Sequence, residues 1–133
     1  MVFDIAYSME AQDAPESMTR LEAAANYAKE ILKKIPDVRV SVVLSKGKGT
    51  IAIPLTEDFQ SIYNLLDSLS PKMMTAEGSN LGNGILTAIS SFPEQSSEAG
   101  FIWLFTDGEE TETSLQNALN EFNKKNSEGS DNK

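Results

Sequence analysis

The chain has 133 residues, enough for one domain with a hydrophobic core and too few for two ordinary domains. Its 11 basic and 20 acidic side chains give a net charge of −9, which disfavours nucleic acid as a partner and suits a cation, a basic partner surface or simple solubility. The absence of Cys and His excludes disulfides, the usual zinc sites and histidine-activated serine nucleophiles. No apolar run approaches the ~20 residues that span a bilayer, so the chain as given is expected to be soluble.

The first half of the chain is predicted to form a strand, a helix and a hairpin. Thr19-Arg20-Leu21-Glu22 matches a capping box, and apolar residues then recur at helical spacing until Pro36. Lys46-Gly47-Lys48-Gly49 is too short for a parallel crossover, so the strands around it should be antiparallel. Pro54 is expected to end an edge strand. The predicted strands are Met1–Ala6, Val38–Ser45 and Thr50–Pro54.

The second half is predicted to contain three helices and one strong strand. Thr56 or Asp58 can cap the first of these helices, and Ser79 or Asn80 can begin the second. The continuously apolar Phe101–Thr106 predicts a central strand covered on both faces, with Trp103 in the core. The predicted helices are about Phe59–Leu69, the segment from Ser79 or Asn80 to about Ser91, and a last helix after Thr113 that extends to about Phe122.

The order of these elements predicts an α/β fold. Alternating strands and helices imply three α-β-α layers around a mostly parallel sheet, here with an antiparallel edge hairpin. Right-handed crossovers place strands one and four in the middle. Ligands of such sheets bind beyond the carboxyl ends of the strands, where Asp4, Ser8, Asp107 and the start of the Ser79 helix fall. A single domain is expected over residues 1–125, with a disordered tail over residues 126–133.

Three short motifs resemble the von Willebrand factor type A family and its metal-ion-dependent adhesion site. They are Asp4-Ile5-Ala6-Tyr7-Ser8, Gly78-Ser79-Asn80 and Thr106-Asp107-Gly108-Glu109, in the family's order. The linking segments around Leu55-Thr56-Glu57-Asp58 and Leu66-Asp67-Ser68-Leu69 are also similar to the bacterial aerotolerance-type (Bat) subgroup. The resemblance covers roughly residues 1 to 122.

The resemblance implies a Rossmann-like domain that holds Mg²⁺, or alternatively Mn²⁺ or Ca²⁺, at this edge. The hydroxyls of Ser8 and Ser79 would bind the ion directly, and Asp4 and Asp107 would hold its waters. An Asp or Glu of a protein partner would then complete the coordination shell. Ala6 stands where the family has a ligand serine, so metal binding is expected to be weaker or to depend on the partner. Bat proteins imply a bacterial parent anchored by flanking membrane helices, with this domain outside the bilayer.

Several interpretations stay open at this stage. Asp4 and Asp107 could instead end strands or accept amide hydrogen bonds, and Ser8 and Ser79 could be helix caps. The expected function is a protein–protein interaction module with a degenerate metal site. The alternative is a metal-independent scaffold that binds through its helices or through an open edge beside strand four, since family members normally continue further and the chain is expected to be truncated. An enzyme with Asp4 as nucleophile is disfavoured, because Ala6 occupies the place of a second acid.

Overall fold

A computed structural model of the protein describes residues 1–12, 18–35, 37–76, 78, 80–93 and 100–106. Within these residues it contains four strands, three α-helices and two short 3-10 helices, Tyr7–Glu10 and Pro71–Met73. The strands and α-helices are β1 (Val2–Asp4), α1 (Arg20–Lys34), β2 (Val40–Lys46), β3 (Lys48–Thr56), α2 (Phe59–Leu66), α3 (Leu81–Ser90) and β4 (Leu104–Phe105). The helix predicted after Thr113 and the tail predicted over residues 126–133 lie outside the described residues.

The sheet has the strand order β3-β2-β1-β4. β1 runs parallel to β2 and to β4, whereas β2 and β3 are antiparallel. This confirms the mostly parallel sheet with an antiparallel edge hairpin. The prediction that strands one and four both lie in the middle holds for β1 only, because within the described part of the chain β4 has β1 as its sole neighbour.

Helices cover both faces of the sheet because side chains alternate along each strand. On one face, Phe3, Ile5, Val42 and Leu44 pack with side chains of α1 and α2. On the other face, Val2 and Val43 pack with Ala88 of α3. The arrangement is the predicted three-layer α/β fold, and it explains why β1 and β2 are buried along their whole length.

The hairpin differs from its prediction in length. The strands extend into the predicted turn, so that Lys46 pairs with Lys48 and Gly47 makes the reversal with a φ of 71°. β3 does not end at Pro54 but continues to Thr56. The register shifts between the Val42–Ile53 and Val40–Thr56 pairs, and Pro54 falls within this irregularity. An edge-strand bulge tolerates proline because its missing N–H leaves no ladder hydrogen bond unmade.

The prediction of a central, doubly covered strand over Phe101–Thr106 is wrong. Only Leu104–Phe105 pairs with the sheet, at the edge of its described part. Phe105 packs inward and stacks on Phe3 with ring centroids 4.6 Å apart. Phe101 is 80% exposed and Trp103 is 36% exposed, so Trp103 is not a core residue. An apolar sequence does not by itself ensure that a strand has a neighbour on each side in the sheet.

The predicted helix starts are confirmed by side-chain caps. Thr19 accepts a hydrogen bond from the Glu22 N–H at 3.0 Å, as the capping box requires. Asp58, rather than Thr56, caps α2 through the N–H and hydroxyl of Ser61. Asn80 caps α3 by accepting from the Asn83 N–H at 3.1 Å. The α2 helix ends three residues earlier than predicted, at Leu66.

Candidate functional site

Asp4 lies at the carboxyl end of β1 and is 1% exposed. Its Oδ1 accepts a hydrogen bond from the Ala6 N–H at 3.0 Å, and its Oδ2 accepts one from Thr106 Oγ1 at 3.0 Å. Thr106 directly follows β4, the parallel neighbour of β1. The carboxylate therefore connects the ends of two parallel strands at the edge of the sheet where the sequence placed the site.

Ser8 is a half-buried residue of the 3-10 helix Tyr7–Glu10. The N-cap of this short helix is Ala6, which has no side-chain oxygen to offer. The Ser8 hydroxyl forms no hydrogen bond to any residue that the structure describes. Ser8 is thus not a helix cap, and its hydroxyl is available to a ligand.

The other two predicted ligands, Ser79 and Asp107, lie outside the described residues. Of their chain neighbours, Asn80 and Thr106 are described. Asn80 caps α3, and its carbonyl accepts a hydrogen bond from Ser45 Oγ at 3.0 Å. Thr106 is joined to Asp4 as described above. Asn80 and Thr106 therefore lie near the carboxyl ends of β1 and β2.

Ser45 is a residue of this edge that the sequence interpretation missed. It is 1% exposed, lies opposite Asp4 in the parallel register, and its carbonyl accepts from the Ile5 N–H at 3.0 Å. It joins the end of β1 to the N-terminus of α3. Its position as the first polar residue after a buried Val-rich run was the signal that could have identified it.

Lys46 is the second residue missed, since the sequence placed it in the tight turn between two strands. Its side chain is buried, with the residue 3% exposed. The Nζ donates hydrogen bonds to the carbonyls of Pro71 at 2.6 Å and Met74 at 3.0 Å. It also lies 4.4 Å from the centroid of the Tyr7 ring. No local sequence signal points to these contacts.

The described donors fit a hydrated, weakly held Mg²⁺. They supply oxygen only, which this ion prefers, through the Asp4 carboxylate and the Ser8 hydroxyl. A buried carboxylate whose oxygens accept hydrogen bonds, as those of Asp4 do, is the kind of group that can also accept from a metal-bound water. No group of three acidic side chains is arranged for metal binding among the described residues. Ala6 contributes no donor oxygen.

Comparison with known families identifies the fold family. The sequence matches the model of the von Willebrand factor type A domain over residues 1–110. The chain belongs to this family. Type A domains commonly mediate protein–protein interaction.

Solved structures place this type A domain near proteins of the Bat group. BatB from Bacteroides thetaiotaomicron is 28% identical, with a TM-score of 0.79, over 90% of this chain and 60% of that one. An aerotolerance-related membrane protein from Bacteroides fragilis, solved with multiple mutations to serine, is 27% identical, with a TM-score of 0.78 and the same coverage. The predicted resemblance to Bat proteins is thereby confirmed. This chain spans about 60% of the length of either relative.

A more distant structure shares the fold alone. A membrane-spanning protein from Vibrio fischeri is 20% identical, with a TM-score of 0.61, over 77% of this chain and 58% of that one. No curated protein matches the sequence. In the part of this chain that the structure describes, no helix is long and apolar enough to cross a bilayer.

Proposed function

We propose that this type A domain is a protein–protein interaction module that binds its partner through the carboxyl edge of the sheet. The observation that carries the proposal is the Asp4 carboxylate, buried at that edge and held by the Ala6 N–H and the Thr106 hydroxyl. Beside it in sequence, the Ser8 hydroxyl has no hydrogen-bond partner among the described residues. A buried carboxylate next to an available hydroxyl favours a hydrated cation over a purely structural role.

In this proposal Mg²⁺ is bound directly by the hydroxyls of Ser8 and Ser79. Asp4 and Asp107 hold its waters and supply the compensating charge. Water replaces the ligand that Ala6 lacks, so the domain binds the ion weakly and an Asp or Glu of the partner strengthens the complex. Mn²⁺ or Ca²⁺ can take the same oxygen ligands. The domain is not an enzyme in this proposal, because Asp4 is buried with both oxygens engaged and no second acid occupies position 6.

A metal-independent scaffold is the second candidate, and two observations favour it. Ala6 is buried and lacks the hydroxyl. Phe101, Trp103 and Leu104 expose apolar surface around the edge strand β4, 80%, 36% and 38% respectively. A partner could bind this edge, or the outer helices, without any cation. The relatives described as membrane proteins further support a bacterial parent that is membrane-anchored, with this domain outside the bilayer.

The deciding experiment is a calorimetric titration of chelator-treated protein with Mg²⁺ and with Mn²⁺. We expect weak saturable binding that is lost in Asp4→Asn and in Ser8→Ala. Ser90→Ala is the matched control, because Ser90 lies at the end of α3 opposite to its Asn80 cap. Binding that persists in Asp4→Asn and Ser8→Ala would overturn the proposed site, and no binding to the wild type would favour the metal-independent scaffold.

Ala6→Ser tests the missing ligand directly, and we expect it to raise the Mg²⁺ affinity. Serine at this N-cap also stabilises the 3-10 helix by itself, because its hydroxyl can accept from a free N–H. The melting temperature must therefore be measured with and without Mg²⁺. Only a rise in melting temperature that depends on Mg²⁺ would show that the new hydroxyl binds the ion. A gain of equal size in metal-free protein would show a cap and nothing more.

The partner carboxylate can be probed with N-acetyl-aspartate N-methylamide, which carries one Asp side chain. In the metal-assisted module, Mg²⁺ and this compound together shift the NMR signals of Ser8 and Thr106, and the compound alone does not. Equal shifts with and without Mg²⁺ would contradict the role of the ion as the bridge between the two proteins.

A further inference from the structure

Lys46 is one of two buried charged side chains in the described part of the chain, and the metal site does not use it. An ammonium group has three N–H donors. Two of them reach the carbonyls of Pro71 and Met74. The ammonium also lies 4.4 Å from the centroid of the Tyr7 ring, which gives the remaining donor an aromatic face. These contacts account for all three donors.

The Tyr7 ring matters more here because no carboxylate among the described residues balances the charge of Lys46. Among the described residues, Lys46 forms no ion pair. Burying an ammonium is costly unless its donors are satisfied, and an aromatic face is a favourable neighbour for a desolvated cation. Tyr7 is 58% exposed, so burial in the core does not fix the position of its ring. The ammonium, held by the carbonyls of Pro71 and Met74, therefore helps to position the ring.

Lys46 lies between two loops and contacts both of them. It is the last residue of β2, and successive strand side chains point to opposite faces, so it lies on the face opposite to Ser45. Tyr7 begins the 3-10 helix that carries Ser8. The Pro71–Met73 3-10 helix, followed by Met74, forms the second loop. One buried ammonium contacts both loops at once.

We propose that Lys46 is a positioning residue that fixes the Tyr7–Glu10 helix, and with it Ser8, against the Pro71–Met74 loop. The two loops then form one rigid binding face. Tyr7 and Met73 are the exposed large hydrophobic residues of this face, 58% and 40% exposed. A partner that contacts either of them also acts on the position of Ser8. Only the link from Ser8 to a metal rests on the function proposed above; the joining of the loops does not.

Amide hydrogen exchange in metal-free protein tests the joining of the loops. The Met9 and Ala11 amides donate within the first loop, and the Met73 amide donates within the second. We expect Lys46→Met to accelerate exchange at all three sites by roughly fivefold, the size of a cation–π contact of about 1 kcal/mol. The Val43 amide, which donates to Met1 in the sheet, serves as the reference.

Substitution of Tyr7 isolates the contribution of the ring. Tyr7→Leu should accelerate exchange at Met9 and Ala11, whereas Tyr7→Phe keeps the aromatic face and should match the wild type. Because Tyr7 is exposed, both variants leave the core intact, and they decide the question if Lys46→Met fails to fold. Equal exchange in Tyr7→Leu and Tyr7→Phe, or acceleration by Lys46→Met at Met73 alone, would overturn the proposal.

A Mg²⁺ titration of the same variants tests the consequence for the site. We expect Lys46→Met and Tyr7→Leu each to weaken Mg²⁺ binding by roughly fivefold, and the double variant to lose no more, because the two side chains act through one contact. Tyr7→Phe should retain the wild-type affinity. Additive losses, or unchanged affinities, would contradict the positioning role. If the wild type binds no Mg²⁺, the proposed function fails, and the exchange data decide the role of Lys46 on their own.

Discussion

The hydroxyl of Thr106 donates a hydrogen bond to Oδ2 of Asp4 at 3.0 Å, across 102 positions of sequence. Asp4 ends the first strand and Thr106 follows the fourth, so this contact joins the ends of two parallel strands at the candidate site. The family's spacing of motifs thus corresponds, for these two residues, to a direct contact.

Thr106→Val should destabilise the domain by about 2 kcal/mol, because it removes a hydrogen bond to a buried carboxylate while keeping the shape of the side chain. Urea unfolding followed by circular dichroism measures the difference. Thr50→Val is the matched control, since Thr50 is exposed on β3 and should change stability by less than about 0.5 kcal/mol. Equal stability of the two variants would mean that the hydrogen bond from Thr106 does not contribute to the stability of the domain.

Gly84→Ala should separate α3 from the sheet. A Cβ at this position would lie 2.8 Å from Ser45 Cβ, 2.9 Å from Ser45 Oγ and 3.1 Å from Val2 Cγ1. We expect the free energy of unfolding to fall by about 1–3 kcal/mol, as in other overpacked cores. The contact between Ser45 and Asn80 should also change. Stability is measured by urea unfolding, and the contact by the NMR shifts of Asn80 and Ser45.

Gly78→Ala provides the contrast to that variant. Gly78 has a φ of 88°, and among the described residues no atom lies within 4 Å of its Cβ position. Its substitution therefore costs only backbone strain, of about 1 kcal/mol, and should leave the Asn80 and Ser45 shifts unchanged. Similar shift changes in both variants would show that the Gly84 effect does not arise from close packing.

Thr19→Ala should lower stability by about 1 kcal/mol, because the first turn of α1 loses its side-chain acceptor for the Glu22 N–H. Thr19→Ser retains the hydroxyl and should remain within a few tenths of a kcal/mol of the wild type. Chemical unfolding of the three proteins at one pH measures both differences. A serine variant as unstable as the alanine variant would assign the effect to the lost methyl group instead of the cap.

The stability of the chain with a free amino terminus should rise between pH 6 and pH 8. Burial lowers the pKa of the Met1 amino group from 8.0 to about 6. Within this window the unfolded chain binds more protons than the folded one, so unfolding becomes less favourable as the pH increases, by roughly 2–3 kcal/mol in total. Below pH 6 both states are protonated, and the cost of the buried charge is present in full.

Urea unfolding at pH 5.5, 7 and 8.5 measures this dependence. The Nα-acetylated chain is the control, because its terminus carries no charge at any of these values and should lose the rise between pH 6 and pH 8. A rise of the same size in the acetylated chain would assign it to another group.

Local features of this fold were predictable because they depend on neighbouring residues. The capping box at Thr19 and the apolar spacing that follows it fix α1 without any distant contact. The same holds for the Asn80 cap of α3. The position of Asp4 at the carboxyl edge also follows from strand order, because parallel strands end on the same side of the sheet. The roles of Ser79 and Asp107 stay predictions, since both lie outside the described residues.

Features that depend on distant contacts could not be predicted. The pattern Lys46-Gly47-Lys48-Gly49 is typical of an exposed turn, yet Lys46 is buried by carbonyls 25 and 28 residues further along the chain. The apolar run of Phe101–Thr106 indicates a hydrophobic strand but does not indicate how many strands lie beside it. The prediction that Trp103 lies in the core is wrong for this reason. Pro54 indicates a strand end unless a bulge accommodates it, and the bulge depends on the register with β2.

The strand order has a consequence for folding during synthesis. Met1 contacts Ser41, 40 positions away, so the pairing of β1 with β2 does not require β4. The other edge of β1 stays open until β4 emerges, and only then can Phe105 stack on Phe3. The Asp4–Thr106 contact spans 102 positions and closes one of the longest loops in the domain. The contact between Asp4 and Thr106 at the candidate site can therefore form only after the fourth strand has docked.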